Sequence, residues 1–430
     1  MRRTLFVAVL VCIGAVCSVR AQDQPHVFRG GTIYPITGEP ITNGVLVVQD
    51  GRFVAVGASG SVSVPAGAVE HDVSGKVIMP GLVDTHSHIG RVQGGDSSEP
   101  LQPGVRSIDA IDVQHHSLGR AHAGGITTAN IMPGSGHLLS GQTTYIKLRK
   151  GRIIDDLLFC EDPIRDVCGG MKMANGTNPL RSSPGAFPGT RARSAALARQ
   201  MFVDALEYRD ELAEADEDQD KSVKRNLALE AMLEVLDGRR VVHFHTHRHD
   251  DILTVLRLRD EFDFPLVLQH VSEAWKVADE IAAADVPASI IVLDTPGGKL
   301  EAVDIRWVNG AALERAGVDV AFHTDDYITD SRFFLRSAAF GVRAGMSRAA
   351  ALEALTIAGA RMLRLDDRVG SIEPGKDADF IVLSGDPLSV YSRVEQTWIE
   401  GHKVFDFADP EDQKLAVGGY GVFDGGAHVH

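Results

Sequence analysis

The chain is short of cysteine, of positive charge and of long apolar runs, and each shortage narrows the field. Four cysteines occur in 430 residues, and Cys12 and Cys17 lie in an apolar N-terminal stretch. The other two, Cys160 and Cys168, are too few for a small disulfide-stapled scaffold. Lys and Arg total 43 against 58 Asp and Glu, a formal net charge of -15. A surface so acidic argues against nucleic acid or anionic lipid as the main partner and leaves a small-molecule substrate. Beyond the N-terminus no run is long and apolar enough to span a bilayer. The glycine-rich phosphate loop of a dinucleotide-binding fold is also missing.

The N-terminus "MRRTLFVAVLVCIGAVCSVRAQDQP" sets Arg2 and Arg3 before an apolar run from Leu5 to Val16, with Val19 and Ala21 ahead of a cut. This reads as a secretory signal peptide over residues 1–21. It predicts a secreted or periplasmic protein with no membrane insertion after the leader is removed. A lipoprotein reading is weaker, because Val16 is larger than the residue that normally precedes a lipidated cysteine. The leader carries three arginines and no acid, so its loss takes the charge from -15 to -18. In an oxidising compartment Cys160 and Cys168, both in "FCEDPIRDVCGG", are expected to pair.

Strand patterns occupy both ends of the remaining chain. "GGTIYPITG", "GVLVVQDGRFVAVG" and "HDVSGKVIM" alternate apolar and polar residues, and Asp50-Gly51 is a hairpin signal. "DADFIVLSGDP" and "RVEQTWIEGHKVF" repeat the pattern near the other end. Residues 22–79 and 366–407 therefore predict one small β-sheet domain built from both chain ends, with 408–430 as a tail. Between them, residues 80–365 alternate strands with helical stretches such as "DAIDVQHHSLGRAHAGG" and "ALEYRDELAEADEDQDKSVKRNLALEAMLEVLDG". The eight candidate strands are "GLVDTHSH", "GITTANIMP", "TTYIKL", "GGMKMA", "VVHFHTH", "FPLVLQH", "ASIIVLD" and "VDVAFHTDD". Eight such units predict an α/β fold with a TIM (β/α)8 barrel, ahead of an open doubly wound sheet. "MKMANGTNPLRSSPGAFPGT" runs into a long Gly/Pro/Ser loop of the length that active-site lids use.

Polar residues recur where such a barrel places its chemistry, at the C-terminal strand ends. In "PGLVDTHSHIG", Asp84, His86 and His88 are two apart and share a strand face. Buried polar groups must be hydrogen-bonded or bind something. Strand five carries His243, His245 and His247, strand six ends in His270, and strand eight ends in His323, Asp325 and Asp326. A lone strand-end histidine is usually structural. Four strand ends bringing His and Asp to one mouth have the composition of a catalytic zinc-type site with an open position. His115, His116 and His122 lie on a predicted helix and are read as structural.

The motifs resemble those of the amidohydrolase superfamily. "VIMPGLVDTHSH" resembles its first-strand signature, "HTDD" its eighth-strand Asp, and "GSIEPGKDADFIVL" its return to the small domain. In detail the chain resembles the imidazolonepropionase-like and prolidase-like branches. The resemblance implies a barrel holding one or two divalent ions, zinc being expected, with a metal-activated hydroxide. It implies His86, His88, His245, His270 and Asp325 as ligands, Asp325 also moving protons and His270 helping to polarise the carbonyl. Lys172 in "GGMKMANG" matches a lysine that some branches carboxylate to bridge two ions. His243 is read as a deeper core residue, His323 as a partner behind Asp325, and Asp326 as a holder of the turn. His247, His137 and Gln142 are candidate substrate contacts, with Asn178 and Arg181 of the long loop beside them. Deaminases of this family carry a Glu three residues after the fifth-strand His; here that position is Arg248, and Glu273 follows His270 instead. Deamination is therefore disfavoured.

These readings converge on an exported metal-dependent hydrolase of a non-peptide C–N bond, an amide or lactam. The alternatives are a prolidase-like dipeptidase and a catalytically silent metal-binding homologue. A homo-oligomer is compatible with all three.

Overall fold

A computed structural model describes residues 24–92, 95–183, 185–218, 220–291, 300–326 and 328–419. The signal-peptide stretch lies outside these residues, as do residues 420–430 of the predicted C-terminal tail, whose described part forms a helix over Pro410–Val417. Six strands come first: β1 (His26–Arg29), β2 (Thr32–Ile33), β3 (Gly44–Gln49), β4 (Arg52–Ala58), β5 (Val69–Asp72) and β6 (Val77–Pro80). Nine follow in the central region: β7 (Leu82–Ser87), β8 (Ile126–Ile131), β9 (Leu139–Gln142), β10 (Thr144–Lys147), β11 (Met171–Ala174), β12 (Val242–Thr246), β13 (Leu266–His270), β14 (Ala288–Ile290) and β15 (Val320–Phe322). The last are β16 (Phe380–Leu383), β17 (Val394–Ile399) and β18 (His402–Asp406). No helix among the described residues is long and apolar enough to cross a membrane.

The chain ends build two sheets. One, ordered β18-β17-β16-β6-β2, mixes strands from both ends. The other, ordered β4-β3-β1-β5, comes from the N-terminal region alone. Alternation along these strands points Phe28, Leu46, Ile78, Phe380 and Trp398 into one buried cluster. Burying each such side chain is worth about 1.5–3 kcal/mol. Asp50 and Gly51 turn β3 into β4 with φ of 51° and 73°, the two left-handed positions that a tight hairpin requires.

In the central region β11 to β15 pair in parallel and in sequence order, and β7 pairs in parallel with β8. The Asp325 N–H donates to the His86 carbonyl at 2.9 Å, and so brings the chain after β15 back beside β7. This is an α/β arrangement of the TIM-barrel type, with one departure. The segment read as the third strand, β10, runs antiparallel to β8, and β9 runs antiparallel to β11. The third parallel unit is replaced by this antiparallel pair.

Helices also differ in detail. The stretch around "QHHSLGRAHAGG" is helical only over α1 (His116–Ala123). His115 caps it and His122 Nε2 lies 2.6 Å from the Leu148 carbonyl. The long charged helix is two, α2 (Arg191–Glu217) and α3 (Leu227–Leu236), because the Asn226 side chain accepts from the Ala228 and Leu229 N–H groups and starts a new helix.

Lys147 on β10 is fully buried, with Asp377, Asp379 and Glu400 as ion-pair partners, and so ties the central region to the small sheet. Burial pushes the Glu400 carboxyl up, but its bonds to Arg149 and the charges of Lys147 and Arg149 outweigh that and bring it down to about 2. A depressed carboxyl adds stability above its unfolded pKa and loses it as pH falls through the folded one. Solvent screening of this partly exposed group leaves on the order of 1 kcal/mol. Glu400→Gln should cost that much near pH 7 and flatten the loss of stability between about pH 5 and pH 2. An unchanged urea midpoint at both pH values would refute it.

Cys160 and Cys168 form a disulfide with Cα atoms 5.2 Å apart. The bond closes a short loop, so removing it should cost about 2 kcal/mol. Urea unfolding of Cys160→Ser/Cys168→Ser should show an earlier midpoint, and reductant should leave that variant unaffected.

Candidate metal centre

The parallel register sets the functional side chains at one end. His245 on β12 pairs with Ala174, the last residue of β11, and with Gln269, while His270 pairs with Thr246. The backbone bends where the strands stop. His270 and Asp325 have φ of 70° and 48°, a conformation costly for residues with a side chain and held here by the surrounding structure.

Two groups of ligand atoms result. His86, His88 and Asp325 place theirs within 4.8 Å of one another, and so do His245, His247 and His270. A third set, His86, His270 and His323, links the two. Asp325 Oδ1 is 2.9 Å from His88 Nε2 and 3.4 Å from His86 Nε2. Lys172 is fully buried, with Nζ 3.0 Å from His86 Nε2 and 3.1 Å from Met132 Sδ. His88 Nδ1 is held by the Met132 carbonyl at 2.7 Å. His245 Nδ1 lies 2.9 Å from Ser135 Oγ, and its Nε2 is 3.1 Å from Asn178 Nδ2. His270 Nδ1 lies 3.2 Å from His323 Nε2, whose Nδ1 meets Ser289 Oγ at 2.8 Å.

The electrostatics suit metal ligation. Burial, with Lys172 and the neighbouring histidines, pushes His86 well below the usual imidazole range. Burial and His245 do the same to His270. Neutral imidazoles keep the lone pair that a metal needs. Burial pushes the Asp325 carboxyl up, but the His88 hydrogen bond and the charges of His88, His323 and Lys172 bring it below its ordinary value. Among the described residues His86 Nδ1 and His270 Nε2 are buried without a hydrogen-bond partner. Each such atom costs about 1–3 kcal/mol. Neutral nitrogens converging with a carboxylate fit a divalent ion.

Around the centre, Asp84 accepts from the Thr324 N–H and hydroxyl and clamps β7 to the chain after β15. Burial pushes its carboxyl up to about 7 against those donors. Asp326 accepts from the Ser331 N–H and hydroxyl and fixes the next turn. His243 lies deeper, between Tyr145 Oη at 2.8 Å and Gln269 Nε2 at 3.2 Å.

The expected substrate contacts separate. Gln142 is placed away from the centre: β9 runs antiparallel, so Gln142 sits opposite Met171, the first residue of β11, and donates to the Pro103 carbonyl. That placement corrects its expected role. His137 stays at the ligand end, since the adjacent Leu138 carbonyl accepts from the Ala174 N–H, and its ring lies 5.4 Å from Phe187. Asn178 reaches His245 directly, while Arg181 donates to the Gly136 and Asn178 carbonyls and latches the long loop down. Arg248 pairs with Asp250, and Glu273 accepts from His249 and pairs with Lys276, so neither carboxyl chemistry nor charge from this pair is directed at the ligands. Met132, Ser135, Ser272, Ser289, Thr324 and Glu301 were not anticipated. A Ser or Thr beside a strand gives no local sign of which histidine it will meet.

Residues 212–405 match the sequence pattern of the Amidohydrolase family. A crystal structure of an amidohydrolase from Thermotoga maritima MSB8 superposes with a TM-score of 0.82 at 34% identity, covering 88% of this chain and 99% of that one. The amidohydrolase tasK of Hapsidospora irregularis is 28% identical over 89% of this chain, which spans 43% of that protein's length. A 5-methylthioadenosine/S-adenosylhomocysteine deaminase of Symbiobacterium thermophilum is 27% identical over 84% of this chain and 85% of its own. With its paired strand-end histidines and Asp325 brought together as that kinship requires, the chain belongs to the amidohydrolase family, hydrolases of carbon–nitrogen bonds.

Proposed function

We propose that the protein is an exported zinc-dependent hydrolase of an amide or lactam. The observation that carries this reading is Asp325 Oδ1, 2.9 Å from His88 and 3.4 Å from His86, a carboxylate able to touch both an ion and its water. His86, His88 and Asp325 would hold a divalent ion, which when bound would supply an acidified water and polarise the scissile carbonyl. Asp325, held ionised by His88, accepts the proton from that water and delivers it to the leaving nitrogen. His323 and Ser289 fix the His270 ring, and Met132 fixes His88, so neither histidine reorients during turnover. Asn178 and the loop latched by Arg181 cover the His245 side and restrict water. Arg248, in place of the deaminase carboxyl, supports hydrolysis of a carbonyl C–N bond over deamination, against the deaminase kinship. The disulfide supports an oxidising compartment.

Lys172 is read as a carboxylated lysine. Reaction of the neutral Lys172 amine with CO2 would release one proton and give a carbamate, an anionic donor beside His86 whose charge a divalent ion would balance. Lys172→Met should then lower the bound ion content from two per chain to one, read by elemental analysis. An unchanged content would make Lys172 a hydrogen-bond partner of His86 only.

The function is tested by a hydrolysis screen of purified protein against lactams, N-acyl amino acids and dipeptides, with zinc or manganese added. Release of amine and carboxylate from a lactam or N-acyl compound supports the reading. Turnover of dipeptides alone would replace it with the dipeptidase reading.

A further inference from the structure

Glu301 is a buried carboxylate that the hydrolytic chemistry leaves unused. It is 2% exposed, and its two oxygens have different surroundings. Oε2 accepts from the Thr177 N–H at 2.5 Å and lies 3.9 Å from the Arg191 guanidinium. A Cβ on Gly176, whose φ is 75°, would collide with that oxygen, so the glycine keeps its seat open. Oε1 has no hydrogen-bond partner among the described residues, and it lies 4.0 Å from His247 Nε2, beyond hydrogen-bond reach. The His247 ring is fixed from its other side by Ser272 Oγ, 2.7 Å from Nδ1, and stands beside His245 and His270. Asn178, the residue after Thr177, reaches His245. The open oxygen thus borders the metal centre, between His247 and the loop that covers His245.

Charge decides what that oxygen can take. An ionised carboxylate with an unsatisfied oxygen is costly to bury. The neighbouring guanidiniums are engaged by nearer acids. Arg191 lies 2.9 Å from Asp251, and Arg248 lies 2.9 Å from Asp250. Glu301 is left without a guanidinium of its own. A hydroxyl or a neutral amide would satisfy Oε1 and leave the charge in place. A protonated amine supplies the N–H donor and the positive charge in one charge-assisted bond. The net charge of -15 also draws a cation toward the protein.

We propose that Glu301 binds a protonated amine of the substrate, so that the scissile amide or lactam belongs to a molecule with a free amino group. The proposal deepens the hydrolase reading above and rests on it for the bond that is cleaved. Glu301 is a specificity residue here: it holds the amine and takes no part in the proton transfer assigned to Asp325.

Two measurements on zinc-loaded protein test it. The first compares kcat/KM for α-amino-ε-caprolactam and ε-caprolactam, which differ only in the amine. The second compares binding of cyclohexylammonium and cyclohexanol by calorimetry, where there is no bond to hydrolyse. Wild-type protein should favour the amine-bearing lactam at least about 100-fold, and should bind the ammonium at least about 10-fold more tightly than the alcohol. In Glu301→Gln, shown to be folded by circular dichroism, both preferences should fall to within a few-fold. Wild-type protein that treats the members of each pair alike would overturn the amine subsite, whether or not the variant folds, and would leave the hydrolase reading standing. A preference that survives in Glu301→Gln would place the amine elsewhere and overturn the proposal too. Ammonium binding that depends on Glu301, in protein that turns over no amide or lactam, would uphold the subsite and remove the hydrolase reading.

Discussion

Asp325→Asn should lower kcat by at least about 100-fold and up to about 10,000-fold, the range that a positioned proton carrier contributes. The substitution keeps the shape and one oxygen but removes the basic carboxylate that His88 holds ionised. Stability should change little. The Asp325 N–H bond to the His86 carbonyl belongs to the backbone, and the Asp84–Thr324 clamp does not involve the Asp325 side chain. Steady-state kinetics and a thermal melt on metal-loaded protein measure both effects. Near-normal kcat with metal retained would make Asp325 a spectator. Loss of metal together with activity would assign its main effect to ligation.

His88→Ala should abolish detectable hydrolysis and lose the ion that Asp325 shares. Unlike His86, His88 has part of its side chain open to solvent, so truncation leaves a space that water can fill. The Met132 carbonyl that held its Nδ1 can then be solvated. A melt should therefore show a modest loss, while metal content falls by one ion per chain. His243→Gln is the contrasting case. His243 meets Tyr145 and Gln269 rather than the ligands, and burial lowers it to about 3, so this change should cost stability with metal content unchanged. If His88→Ala kept its metal and activity, the centre would have to lie elsewhere.

Much of this centre was legible in the sequence because residue type and spacing carry it. A period of two in "DTHSH" and strand ends at "LQH" and "HTDD" mark where polar groups meet an apolar strand. Strand direction is not local information. "TTYIKL" alternates in the same way whether it runs parallel or antiparallel to β8, and misreading it also misplaced Gln142. The break between α2 and α3 falls within a run of good helix formers, and only Asn226 signals it. Glu301, in "GGKLEAV", looks like any surface glutamate. Its burial follows from the loop around Gly176 and Thr177, which contacts it from 124 residues away in sequence. The small domain divides in the same sense. The strands at each end were readable, but that β1, β3, β4 and β5 form a sheet apart from the one joining both ends depends on pairings that no single strand encodes.

Hydrolysis of the best lactam or N-acyl substrate before and after metal removal tests the metal-centred chemistry most directly. Protein stripped with a chelator should fall to background turnover, and stoichiometric zinc should restore it. Full activity in protein shown by elemental analysis to hold no metal would contradict the assignment of His86, His88 and Asp325.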